Sequence, residues 1–165
     1  MLPVGKREDK SSVSFLKDMD INRNEEGLMN KVILVAHGKL AHEMKNSAEM
    51  IFGGLPNFES VEFLKEEGLD TIQDKITAAM QDDEASYLIL TDLFCGTPYN
   101  ASCAVAMKNP EREIDVVSGM SLPIVLEVAS MLGNSLQDIV NHATSIPCDT
   151  VKAFKQQVIE EEEDF

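Results

Sequence analysis

Basic charge is scarce in this chain: 14 Lys and Arg stand against 29 Asp and Glu, giving a formal net charge of -15 and a pI near 4.4. That deficit argues against a nucleic-acid binder, because phosphate backbones are met mainly by clustered Lys and Arg. An anionic membrane surface would repel the chain as well. An acidic surface does suit a basic protein partner, since complementary charge speeds encounter; it serves plain solubility equally well. Cysteine is also sparse. Cys95, Cys103 and Cys148 form no CxxC pair and have no histidine at metal-ligand spacing, so they read as reduced thiols, and no metal site is expected. Long apolar runs are missing too: none approaches the roughly 20 residues that cross a bilayer. The stretch KREDKSSVSFLKDMD near the start has no apolar signal-peptide core. These absences together lead to the expectation of a cytoplasmic protein without membrane insertion, and no internal repeat is found.

What is present suffices for one domain: 165 residues, 44% of them hydrophobic, can bury a single good core. Residues 1–28 carry five basic and six acidic side chains and only scattered apolar ones, as an extension would. Met29 directly precedes the apolar run Val32-Ile33-Leu34-Val35-Ala36, which fits a natural start at Met29 behind a foreign leader; a native N-terminal helix near 13–19 is the competing view. From there short β-branched runs at 32–36, 60–64, 86–91 and 114–118 alternate with longer helical stretches, the signature of a βα repeat. The spacing predicts a first helix over about 40–52, with Leu40, Met44, Ala48 and Ile51 inward and His42, Glu43, Lys45, Asn46 and Glu49 outward. A second helix near 70–80 places Leu69, Ile72, Ile76 and Ala79 or Met80 on one stripe. A third follows Pro98 and ends before Lys108, a fourth follows Leu122-Pro123, and a fifth is opened by Ser135 as N-cap with Asp138 three residues on. A turn at 145–149, a possible short strand at 150–154 and the solvated acidic run 160–164 finish the chain.

Alternating strands and helices favour an open parallel sheet covered on both faces. Ligands bind such sheets beyond the carboxyl ends of the strands, where successive connections leave in opposite directions. For strand order 2-1-3-4 that place lies between strands one and three. His37-Gly38 follows the first of these strands, and Asp92-Leu93-Phe94-Cys95-Gly96-Thr97-Pro98 follows the other. An imidazole attacks phosphorus from its unprotonated nitrogen, so a carboxylate that accepts a hydrogen bond from the other ring N–H would fix the useful tautomer. Asp92 is the candidate for that role. Gly96-Thr97-Pro98 combines a small residue for close approach, a hydroxyl as N-cap and a proline for the first turn, and a helix N-terminus there would attract an anion. Gly119-Met120-Ser121 would form a further wall, and Gly38 leaves room for an incoming side chain. Each part has a plainer reading: a histidine after a strand is often only a turn residue, and an Asp-to-Pro segment is a common helix start. Their joint placement at one switch point is the stronger signal. His42 and His142 fall within expected helices and read as surface or capping residues; Cys95 and Cys103 read as packing residues.

The segments MNKVILVAHGKLA, LILTDLFCGTPYNAS and VVSGMSLPIVLE, in this order, resemble the mannose/fructose/sorbose-class enzyme IIA of the sugar phosphotransferase system. The resemblance covers about residues 29–154. It implies that His37 is the phosphorylated histidine, that Asp92 hydrogen-bonds it, and that Gly38, Gly96, Thr97 and Ser121 flank the phosphate. It further implies an α/β fold, an open doubly wound sheet of four parallel strands in the order 2-1-3-4. A C-terminal antiparallel strand at 150–154 would be exchanged in a homodimer, with residues 29–155 as the domain and 156–165 as an acidic tail. The implied activity is phosphotransfer without cofactor or metal, from the histidine-containing phosphocarrier protein to an enzyme IIB component. As no enzyme IIB domain follows, a separate partner is expected to supply the acceptor. One departure is Cys95, where the family usually has a second glycine. Three alternatives stay open: a dihydroxyacetone-kinase-type phosphotransfer subunit, which resembles HS and DLGS where this chain has HG and DLFCGTP; a chelatase-like metal-binding domain, for which only His142 offers a late ligand; and a non-catalytic regulator that senses phosphorylation.

Overall fold

A computed structural model describes residues 30–153. Four strands, β1 (Lys31–His37), β2 (Phe58–Phe63), β3 (Tyr87–Thr91) and β4 (Ile114–Ser118), form one parallel sheet in the order β2-β1-β3-β4. The helices are α1 (Leu40–Phe52), α2 (Leu69–Ala79), α3 (Thr97–Lys108), α4 (Leu122–Ser130), α5 (Leu136–Ser145) and the single turn α6 (Pro147–Thr150).

The two central strands are apolar almost throughout because both of their faces are covered. Val32, Leu34 and Ala36 of β1 join Leu88 and Leu90 of β3 in one core, against Ala41 and Ala48 of α1, Ile124, Val125 and Val128 of α4, and Ile139 and Ala143 of α5. Ile33, Val35, Tyr87 and Ile89 face the other way, onto Ile72 and Ile76 of α2 and Ala101 and Val105 of α3. The connection out of β1 thus passes over one face and the connection out of β3 over the other. A crevice is left between those two strand ends. Asn30 fixes the opposite end of β1: its side-chain amide donates to the carbonyls of Leu132 and Asn134, both at 2.8 Å.

Differences from the sequence expectation are local. β2 begins at Phe58 rather than Ser60 because the fully buried Phe58 ring anchors its start. α1 is rolled so that its small residues meet the sheet: Ala41 and Ala48 are buried, whereas Leu40 and Ile51 are 43% and 65% exposed. In α2 the expected Leu69 is exposed and Gln73 is buried instead, its side-chain carbonyl accepting from Lys108 Nζ. Ser135 caps α5 as expected, its hydroxyl accepting from Asp138 N–H at 3.2 Å. The short strand expected at 150–154 is not formed in the described part: Thr150 closes α6 with its N–H bonded to Ile146 O, and residues 151–153 follow without a ladder. A strand there needs an edge to pair with, which its own sheet does not bring to it. Phe154, the extension at 1–28 with its possible helix near 13–19, and the tail at 156–165 lie outside the described residues.

Candidate active site

His37 is the last residue of β1, and Asp92 directly follows β3. The sheet order brings them together at the switch point. Asp92 Oδ2 accepts two hydrogen bonds from His37, one from its backbone N–H and one from ring Nδ1, both at 2.9 Å. Oδ1 accepts from Leu93 N–H at 2.8 Å. Two backbone donors therefore fix the carboxylate before the imidazole engages it, and the Asp92 side chain is only 13% exposed, against 45% for His37. An ionised carboxylate can only accept, so in the neutral form of the ring the proton would sit on Nδ1 and the lone pair on Nε2. The Phe63 ring, in register with His37 across β1 and β2, meets the imidazole edge-on with centroids 5.4 Å apart.

The loop from Leu93 to Gly96 wraps the other side of the ring. A β-carbon at Gly96 would stand 3.2 Å from His37 Cε1, so a larger residue there would press the imidazole back by a few tenths of an ångström. Gly96, not Thr97, occupies the N-cap position of α3; Thr97 is the first helical residue and Pro98 the second. The shift by one residue follows from the glycine's extended backbone, φ -73° and ψ 170°. The first-turn N–H groups of Thr97 and Tyr99 have no acceptor within the helix, which suits them to an anion. Cys95 takes φ +60°, a left-handed conformation that a side chain adopts at a cost. This is the position at which the resemblance points to a glycine.

Gly38 also has positive φ, +58°, and its N–H donates to Phe63 O at 2.8 Å, turning the chain away from the imidazole. Ser121 heads α4 at the same end of the sheet. Met120 N–H ties that loop to Thr91 O at 2.9 Å, beside Asp92, while Ser121 itself makes no hydrogen bond to His37. The remaining histidines lie elsewhere. His42 is exposed on α1, and His142 Nε2 pairs with Glu127 Oε2 at 3.1 Å between α5 and α4. Among the described residues no three His, Cys, Asp or Glu side chains converge as metal ligands, and no helix is long and apolar enough to cross a membrane.

Residues 31–144 match the family described as PTS system fructose IIA component. The chain belongs to the mannose-class enzyme IIA family of the sugar phosphotransferase system. It is 45% identical over 118 residues to the sorbose-specific EIIA component of Lacticaseibacillus casei, covering 70% of this chain and 84% of that one. With the fructose-specific EIIA component of Bacillus subtilis it shares 37% identity over 132 residues, 78% of this chain and 84% of the relative. Among solved structures, the mannose/sorbose specific IIA subunit from Enterococcus faecalis superposes with a TM-score of 0.70 at 29% identity, over 77% of this chain and 96% of that one. The EIIA component from Streptococcus agalactiae gives 0.72 at 25% identity, over 78% and 99%.

Sequence reasoning left out a set of exposed apolar residues at this end of the sheet. Leu40, Leu64, Leu93 and Phe94 follow the ends of β1, β2 and β3, and all four are exposed, Leu93 and Phe94 by 58% and 66%. Phe63 was legible in principle, since pairing the first two strands places it opposite His37. These residues carry no motif: an apolar residue just past a strand, or at a helix start like Leu40, looks like core until the elements are docked.

Proposed function

We propose that this protein is a cytoplasmic phosphoryl carrier, in which His37 Nε2 accepts the phosphoryl group from the histidine-containing phosphocarrier protein and passes it to an enzyme IIB component. The observation that carries this reading is the 2.9 Å bond from His37 Nδ1 to a carboxylate that two backbone N–H groups already hold. As phosphorus leaves the donor's nitrogen and bonds to Nε2, the ring gains positive charge, and Asp92 faces that charge from the opposite nitrogen. The return step reverses the movement, with the same carboxylate in place. Thr97 and the amides at the start of α3, together with the loops at Gly38 and Ser121, offer donors for the phosphoryl oxygens. Exposed Leu40, Leu64, Leu93 and Phe94 give a partner an apolar seat around the reacting nitrogen, and the net charge of -15 favours a basic approach face.

Incubation with phosphoenolpyruvate, enzyme I and the phosphocarrier protein, followed by intact mass spectrometry, tests the reading. Wild type should gain one acid-labile phosphoryl group, and His37→Ala none. Equal labelling of the two proteins would overturn it. The same reading includes a homodimer in which residues 150–154 of each copy pair with an edge of the other's sheet. A chain ending at residue 149 should then sediment at half the mass of the full chain.

A further inference from the structure

An open sheet has two edges, and β2 is one of them. Its hydrogen bonds fix which backbone groups face outward. Asn57 O accepts from Val32 N–H at 2.9 Å and Phe63 O accepts from Gly38 N–H at 2.8 Å, so the odd-numbered residues of this segment address β1. Phe58, Ser60 and Glu62 turn their N–H and C=O groups the other way. An outward row of this kind is a template for a further strand.

Two ammonium groups from different helices occupy the row. Lys45 of α1 donates to the Phe58 carbonyl at 2.7 Å, and Lys75 of α2 donates to the Glu62 carbonyl at 3.0 Å. Phe58 N–H is turned back onto Leu55 O at 3.1 Å, and Glu67 holds Lys75 from the following loop. Ser60 lies between the two plugs, in a groove walled by His42, Ala78 and Ala79. Both bonds are charge-assisted and bridge 13 residues of sequence, so an arriving strand would have to displace two ammonium groups at once.

We propose that Lys45 and Lys75 are stoppers that close the β2 edge against strand addition by a second copy of this chain. Their consequence is a limit on assembly. A sheet that accepts a strand at both edges can propagate head to tail, whereas a sheet with one closed edge cannot. This inference does not depend on the phosphoryl-carrier reading.

The test is a Lys45→Met/Lys75→Met double variant, which keeps both apolar stems and removes both charges. Sedimentation velocity over a concentration series should show it growing into species larger than any the wild type forms. Adding Ser60→Pro, which deletes the central outward N–H, should abolish that growth, and Lys65→Met alone should behave as wild type. The proposal is overturned if the double variant sediments as wild type does, if growth survives Ser60→Pro, or if Lys65→Met grows equally. Should far-UV circular dichroism show the double variant unfolded, the two single variants decide: each should show part of the growth, and single variants indistinguishable from wild type overturn the proposal.

Discussion

Replacing Gly96 by alanine probes how tightly the imidazole is seated. The new β-carbon would lie 3.2 Å from His37 Cε1, 3.2 Å from Leu93 O and 3.4 Å from Leu93 Cβ. Carbon atoms at rest stand about 3.5–4.0 Å apart, and Leu93 O belongs to a backbone held by its bond from Gly96 N–H at 3.1 Å. The side that can yield is therefore the ring, by a few tenths of an ångström. That movement stretches the 2.9 Å bond to Asp92 and turns Nε2 off the line of transfer. A full 1 Å misplacement costs about 100-fold in rate, so a few tenths should slow phosphorylation by roughly 3- to 10-fold. The backbone at Gly96, φ -73° and ψ 170°, accommodates alanine. Loss of the preferred N-cap glycine costs only about 0.5–1 kcal/mol, and the protein should stay folded. Rapid quench and intact mass give the rate, while nitrogen chemical shifts of the His37 ring report which nitrogen holds the proton. Transfer within about twofold of wild type, with unchanged ring shifts, would refute the seating argument.

Other perturbations act on single elements of the structure. Asp92→Ala removes the acceptor of three hydrogen bonds; losing the one to the imidazole, worth about 1.5–3 kcal/mol, should slow transfer roughly 10- to 150-fold with an intact circular dichroism spectrum, and an unchanged rate removes the orienting role. Cys95→Gly relieves the left-handed strain at φ +60° and should raise stability in urea by about 0.5–1 kcal/mol, whereas equal or lower stability would show that the loop is not strained there. Glu67 accepts from Leu64 N–H at 2.9 Å and pairs with Lys75, and these contacts, the backbone bond foremost, hold its carboxyl below the ordinary glutamate range. A depressed folded value gives stability that is present above the unfolded carboxyl pKa and lost as pH falls through the folded one. The urea midpoint of wild type should therefore exceed that of Glu67→Gln near neutrality, with the gap closing as pH falls through and below the ordinary glutamate range. A gap independent of pH would show that the charge is not its source.

The central strands were legible because β1 and β3 are buried on both faces, which writes itself into the sequence as unbroken apolar runs. Two such runs with helices between them point to a parallel sheet; the order 2-1-3-4, on which the meeting of His37 with Asp92 depends, came from the family resemblance and is the order observed. Helix faces were harder to read. α1 carries apolar residues at Leu40, Ala41, Met44, Ala48, Met50, Ile51 and Phe52, and a periodic stripe fits either its large or its small members. Close approach to the sheet and α4 selects the alanines, a choice made by packing distance that residue type alone does not reveal. The cap of α3 lies one residue earlier than expected, at Gly96, whose extended backbone precedes Thr97 as the first helical residue. Gln73, polar by composition, is buried because Lys108 reaches it from a neighbouring helix.

The carboxylate behind His37 takes up one ring nitrogen and leaves a single one facing out. In the proposed carrier role, donor and acceptor would have to take turns at that one nitrogen. In the same proposal both partners would seat on Leu40, Leu64, Leu93 and Phe94, so neither could wait in place while the other is served. An excess of the acceptor would then slow loading merely by standing in the way, and the throughput of the relay would peak when the two partners visit in balanced numbers.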